Sequence, residues 1–372
     1  SCYRNMTSTE SAYEVPVARV ADKLLAVYGD PSSPSFPPPL SSEEAGVCAN
    51  GDRRYLWTDS FAVLGMIAVA RRVGGGERER WLHGAKRLAD AIEAGLGVPR
   101  SASHPMRYEE ENGKKYYIGV RIGKVHASTK GSDAGMQLDG QYMHYLVMYF
   151  FALARLSRET GDTIYAVRAA QHIRRIHPYF FTGKGFYWKM TSDVQVIDGL
   201  SHTGPNDDSA AALVVYRVVN TELKARGEQT IDKEVADVEE SLQGFHFQAS
   251  SDPLGWGLQL WKIQWLVDDH TKVRLCSLTP KVLTLRNASL PFRLYGAAIG
   301  ASLHTAEMRR AVLDILNSKN LLNADDEEDR DSGLYAINKV MLAVALDPAA
   351  FARCNEEERV KDRKSGSAGM PR

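Results

Sequence analysis

The chain has 372 residues, 44% of them hydrophobic, which is enough for a sizeable core in one large domain or two ordinary ones and too many for a disordered chain. Lys and Arg together number 46, as do Asp and Glu, so no excess charge favours nucleic acid, an anionic membrane or an acidic partner. The four cysteines, Cys2, Cys48, Cys276 and Cys354, lie far apart without paired spacing, and no apolar run is long enough to cross a membrane. A small or neutral partner, a reducing compartment and a cytoplasmic location are the expectations.

In chain order, two kinds of helix alternate. Residues 10–28, 77–96, 162–177, 230–245 and 305–319 carry the 3.6-residue stripe of helices that bury one face and wet the other. In "TIDKEVADVEESLQGF", for instance, Ile231, Val235, Val238, Leu242 and Phe245 recur at steps of four and three. Between them stand "WTDSFAVLGMIAVA" (57–70), "DGQYMHYLVMYFFALA" (139–154), "DDSAAALVVYRVV" (207–219), "LGWGLQLWKIQWLV" (254–267), "LPFRLYGAAIGASL" (290–303) and "GLYAINKVMLAVAL" (333–346), apolar nearly all round. Such helices need neighbours on every side. The weakest outer member is 272–286, which Pro280 should break or kink.

The alternation predicts an all-α fold, an inner ring of about six helices wrapped by an outer ring: an (α/α)6 barrel of helical hairpins. The longest connections, 98–135 and 178–206, are candidates for substrate-covering structure. Within the first, "KKYYIGVRIG" alternates as a short strand, one arm of a β-hairpin near 115–123. No low-complexity linker divides the chain, which argues for one domain over residues 1–360 with a fraying polar tail at 361–372.

Each inner helix carries its polar or aromatic residues at or just before its first turn. They are Trp57, Thr58 and Asp59; Asp139, Gln141, Tyr142 and His144; Asn206, Asp207 and Asp208; Asp252 and Trp256; Arg293 and Tyr295; and Asp331 and Tyr335. Successive hairpins make the inner helices parallel, so these starts meet at one mouth, where free N–H groups and partial positive charge favour oxygen-rich ligands. Asp is also a preferred N-cap, and Asp139, Asp207 and Asp252 stand where a cap is needed. Aromatic rings beside hydroxyl-binding groups suit a sugar, whose C–H face lies on a ring. No motif asks for a metal or a cofactor.

"RRYLWTDSFAV", "VRIGK" (120–124), "DGQYMHYLVMYFFAL", "FYWKM" (186–190), "DPLGWG" (252–257) and "LPFRLYGAAIG" together resemble a group within the six-hairpin glycosidase-like superfamily. The resemblance spans roughly residues 50–305 in order and implies the (α/α)6 toroid and a small carbohydrate or glycoside as substrate. Where the group has a Gly-Gln-His-Asp-Pro-Leu-Asp-Gly-like segment, this chain reads "LSHTGPNDDSAA" (200–211), leaving His202 and Asp207 or Asp208 as loose counterparts.

The first expectation is a glycoside hydrolase-like enzyme, which needs one protonated carboxyl and one carboxylate flanking the bond. Asp59 and Asp139 are the expected acid/base pair, with Asp207 or Asp208 as substitutes. Trp57, Gln141, Tyr142, His144, Trp188, His202, Asp252, Trp256 and Arg293 are the expected sugar-binding set. Two alternatives are a sugar epimerase or isomerase working through His144 and His202, and a toroid that binds carbohydrate without catalysis.

Overall fold

Helices that are apolar all round must be walled on every side, and six are. In the computed structural model, which describes residues 15–38, 54–124, 126–131, 138–200, 207–266, 274, 275, 277, 278, 290–322 and 334–353, the inner helices are α2 (Leu56–Arg72), α4 (Met143–Thr160), α6 (Asp207–Lys224), α8 (Pro253–Ile263), α9 (Pro291–Ser302) and α11 (Tyr335–Leu346). Each packs on the next in that order, and α11 packs back on α2, closing the ring. From Leu56 to Ala70 every residue of α2 is buried, as the all-round apolar pattern requires.

The outer helices are α1 (Val17–Tyr28), α3 (Gly75–Leu96), α5 (Ile164–Phe180), α7 (Asp232–Ser241) and α10 (Ala306–Ser318), and each lies against one or two inner neighbours. In α3 the buried residues Trp81, Leu82, Ala85, Leu88, Ala89, Ile92 and Leu96 form one stripe. The fold is the (α/α)6 toroid expected from the alternation. Most of the expected 272–286 helix and the 361–372 tail lie outside the described residues. No described helix is long and apolar enough to cross a membrane.

Inner neighbours run parallel where their facing residues can be followed. Along α8 and α9 the facing positions advance together: Asp252 meets Arg293, Leu254 meets Gly296, Gly257 meets Gly300, and the carbonyl of Leu260 meets His304. Glycines make this seam, because a Cβ on Gly257 would collide with the carbonyl of Gly296, and one on Gly300 with the carbonyl of Gly257. Between α2 and α4, Trp57 lies on Tyr145 at the starts of both helices.

The long connection before α4 holds the expected hairpin, placed a few residues earlier than the alternation suggested. Strand β1 (Tyr108–Glu111) pairs antiparallel with β2 (Lys114–Tyr117) across a turn in which Asn112 and Gly113 both have positive φ. The following Ile118–Ile122 stretch is buried instead of strand-paired: Arg121 N–H donates to Leu96 O, Ile122 N–H to Gly140 O, and Leu56 N–H to Ile122 O. A second short ladder, β3 (Gln141–Tyr142) with β4 (Lys189–Met190), leads into α4. Helix α4 therefore starts at Met143, four residues later than its polar lead suggested.

The glycine seam carries a stability prediction. Gly257→Ala or Gly300→Ala forces α8 and α9 apart, and overpacking of this kind costs about 1–3 kcal/mol. Urea unfolding should show that loss for each, whereas Gly131→Ala, where a Cβ meets nothing within 4 Å, stays near wild type.

Candidate active site at the mouth of the ring

Six of the expected residues are committed to structure or lie outside the description. Asp59 is fully buried, with its carboxylate accepting from Arg54 Nε at 3.1 and 3.0 Å, from Arg54 Nη2 at 2.6 Å and from the Tyr28 hydroxyl at 2.8 Å. It ties α1 and the segment before α2 to the ring. Asp139 is equally buried: Arg121 Nη1 donates to it at 2.7 Å, and the N–H groups of Gly123 and Lys124 donate at 2.9 and 3.1 Å. It caps no helix and organises the 118–124 loop. The geometry therefore removes the expected Asp59/Asp139 pair from the mouth. Each carboxylate is already saturated and has no water-accessible face.

Gln141 is buried too, its amide donating to the carbonyls of Ile118 at 2.8 Å and Ser192 at 2.9 Å, so it joins two loops and does not face a ligand. Trp256 is fully enclosed and donates through Nε1 to Leu275 O at 2.8 Å. Asp252 is the N-cap of α8, accepting from Gly255 N–H at 2.9 Å, and also pairs with Arg293 at 2.6 Å. His202 lies outside the described residues.

What remains at the mouth is a set of uncommitted groups. His144, in the first turn of α4, stands within an aromatic cage: ring centroids lie at 4.7 Å (Tyr145), 5.7 Å (Tyr142) and 6.0 Å (Trp57). Trp188 packs on Tyr142 at 5.5 Å and keeps partial exposure. His144 and Tyr145 retain accessible surface, and neither has a hydrogen-bond partner among the described residues. Trp57 is buried with its Nε1 unpartnered among those residues. Desolvation, helped by the Lys262 charge, lowers the His144 pKa from 6.5 to about 4, so its imidazole is neutral at neutral pH.

Across the mouth, Asp207 and Asp208 open α6. Asp207 Oδ2 accepts from Gln259 Nε2 at 2.9 Å, and its Oδ1 stands 3.6 Å from Lys262 Nζ. Asp208 has no hydrogen-bond partner among the described residues and keeps partial exposure. Burial, against the pull of Lys262 and with a further push from Asp207, raises its pKa from 3.8 to about 7. A carboxyl that holds a proton near neutral pH and an imidazole that is neutral there are groups that proton-transfer catalysis uses.

Tyr145 and Lys262 did not emerge from the sequence pattern. Tyr145 follows His144 in the same turn, and its hydroxyl feels Tyr55 and Arg293, although burial dominates and pushes its pKa upward. Lys262 is the one charge in the otherwise apolar "LGWGLQLWKIQWLV". A charge placed on an all-round apolar helix was the signal. Among the described residues, no three His, Cys, Asp or Glu side chains gather into a metal-binding group.

This closed ring of paired helices is a fold that the chain shares with solved structures. The chain is similar to cellobiose 2-epimerase from Spirochaeta thermophila, at a TM-score of 0.52 and 10% identity over 92% of this chain and 99% of that one. It is also similar to a family 76 glycoside hydrolase from a bovine Bacteroides thetaiotaomicron strain, at a TM-score of 0.50 and 10% identity over 90% of this chain and 77% of that one. No family model matches the sequence, and no curated protein matches it either.

The buried pairs and the titrating pair predict different things. Asp59→Asn and Asp139→Asn each strand a buried guanidinium, at about 3–5 kcal/mol, and urea unfolding should register that loss. Asp208 holds a proton in the folded state that the unfolded chain has released between pH 3.8 and about 7, so it makes stability fall as pH rises through that window. His144 does the reverse, since the unfolded chain takes up a proton between 6.5 and about 4 that the folded state refuses. Asp208→Asn removes the first slope and leaves the second, so the variant's stability relative to wild type should increase steadily as unfolding is measured at rising pH across 3.8 to 7.

Proposed function

We propose that the mouth is the active site of a carbohydrate-active, glycoside hydrolase-like enzyme acting on a small sugar or glycoside. The observation that carries the reading is Asp208, a carboxyl without a hydrogen-bond partner among the described residues, partly exposed, with its pKa raised to about 7. In this reading Asp208 is the general acid that protonates the leaving glycosidic oxygen. Asp207, 45% exposed and held by Gln259 and Lys262, is the carboxylate that takes a proton from the attacking water. The partly exposed rings of Tyr145 and Trp188 receive the C–H face of the sugar, with the buried Trp57 packed against Tyr145, and Arg293, oriented by Asp252, donates to its hydroxyls.

A second reading, a sugar epimerase or isomerase, is favoured by His144. Its imidazole is neutral, has no hydrogen-bond partner among the described residues and is available to take a proton from the carbon beside a carbonyl, with Asp208 as the acid for the oxygen. Of the similar solved structures described above, one is a cellobiose 2-epimerase and one a family 76 glycoside hydrolase, and the fold alone does not choose between the readings.

A panel of aryl glycosides and reducing disaccharides tests both readings. Hydrolysis that falls about 100-fold or more in Asp208→Asn, and that declines in wild type as pH rises through about 7, is the expected result. Unchanged hydrolysis in Asp208→Asn would overturn the first reading. Uptake of deuterium from heavy water into a reducing sugar, lost in His144→Gln and without bond cleavage, would establish the second in its place.

A further inference from the structure

Lys262 is a costly residue in its position. Its helix is otherwise apolar, Leu260, Trp261 and Ile263 around it are buried, and Lys262 itself is 4% exposed. Taking an ammonium out of water costs several kcal/mol unless fixed partners compensate. Its partners all lie on other elements at the mouth. Nζ donates to the Asp207 carbonyl oxygen at 3.2 Å, stands 3.6 Å from Asp207 Oδ1, and lies 5.6 Å from the centre of the Phe247 ring. On the same helix, Gln259 fixes the other Asp207 oxygen while accepting from Ser250 N–H and donating to Gln248 O. Asp208 and His144 both feel the Lys262 charge.

We propose that Lys262, reaching from α8 to the first turn of α6, is the positioning residue of proton transfer at the mouth: its ammonium aims the Asp207–Asp208 turn and is the positive charge that Asp208 and His144 share. The inference rests on the proposed roles of Asp208 and His144, and it adds what keeps the two in complementary states. One positive charge acts on both in the useful sense. It disfavours a second positive charge on His144, keeping the imidazole unprotonated, and it draws Asp208 back from full protonation, so that its proton can leave near neutral pH. The other charged and titratable groups facing this cluster are few. Among the described residues they are Asp207 from α6, Tyr145 from α4, Tyr142 just before α4, Lys189 from β4, whose Nζ lies 4.9 Å from the centre of the Tyr142 ring, and Arg293 from α9, which is paired with Asp252. Of the two other cations, Arg293 already donates to Asp252 at 2.6 Å and Lys189 lies over the Tyr142 ring, whereas the Lys262 charge acts on both His144 and Asp208.

The test reads the two groups directly, without needing the substrate. Protein labelled with 13C at histidine rings and aspartate carboxyls is titrated by NMR in wild type, Lys262→Met and Lys262→Arg, with His144→Gln and Asp208→Asn assigning the signals. In Lys262→Met the midpoints of both His144 and Asp208 should move upward by about half a unit or more, and Lys262→Arg should restore most of the difference. A folded Lys262→Met, by circular dichroism, in which both midpoints stay at wild-type values would overturn the proposal. If Lys262→Met does not fold, Lys262→Gln and Lys262→Arg carry the comparison. Midpoints that move in a protein hydrolysing none of the aryl glycosides would uphold the role of Lys262 and count against the hydrolase reading. Fixed midpoints with activity lost in Asp208→Asn would do the opposite.

Discussion

The structure depends on one constraint: six helices with no polar side cannot lie at a surface, and a closed ring with an outer layer walls each of them. Once α11 packs back on α2, no inner helix has a free flank. Polar side chains can then sit only where the inner helices begin or end. The parallel arrangement puts all the beginnings together, so chemistry concentrates at the mouth for a topological reason before any residue is chosen for it.

Within that mouth the polar groups divide by whether structure has already used them. Asp59, Asp139 and Gln141 are locked by Arg54, by Arg121 and by the carbonyls of Ile118 and Ser192 respectively. These contacts hold the long connections against the ring, so the residues are important without being reactive. His144, Tyr145 and Asp208 have no such partners among the described residues and keep accessible surface. The division matters more than closeness to the mouth, because a saturated carboxylate has neither a lone pair nor a proton to offer.

Much of the fold was legible in the sequence, since all-round apolarity and one-sided apolarity are different patterns and each type of helix shows its own. The inner segment at 207–219 and the outer one at 77–96 lie within α6 and α3. The start of α4 was misread because the polar lead at Asp139–Tyr142 resembles a helix cap, whereas the strand pairing of Gln141 and Tyr142 with Met190 and Lys189 is set by residues some fifty positions away. The site was less legible for the same reason. Asp59 looked free because its counterion, Arg54, lies before the helix, and Asp139 looked like a cap because Arg121 is distant in sequence. Lys262 left a visible trace, a lone charge in an apolar helix, but the pattern could not say which carboxylate it meets.

The glycine seam has a mechanical meaning beyond its tight fit. With the backbones of α8 and α9 in direct touch at Gly257, Gly296 and Gly300, the two helices form a single stiff wall with no side-chain layer to slide through. Across the ring wall at α6, α8 is joined by the side chains of Lys262 and Gln259 reaching to Asp207, a looser joint made of flexible arms. Strain applied to the ring concentrates at its softest seam, and here that seam is the one that carries Asp207 and Asp208.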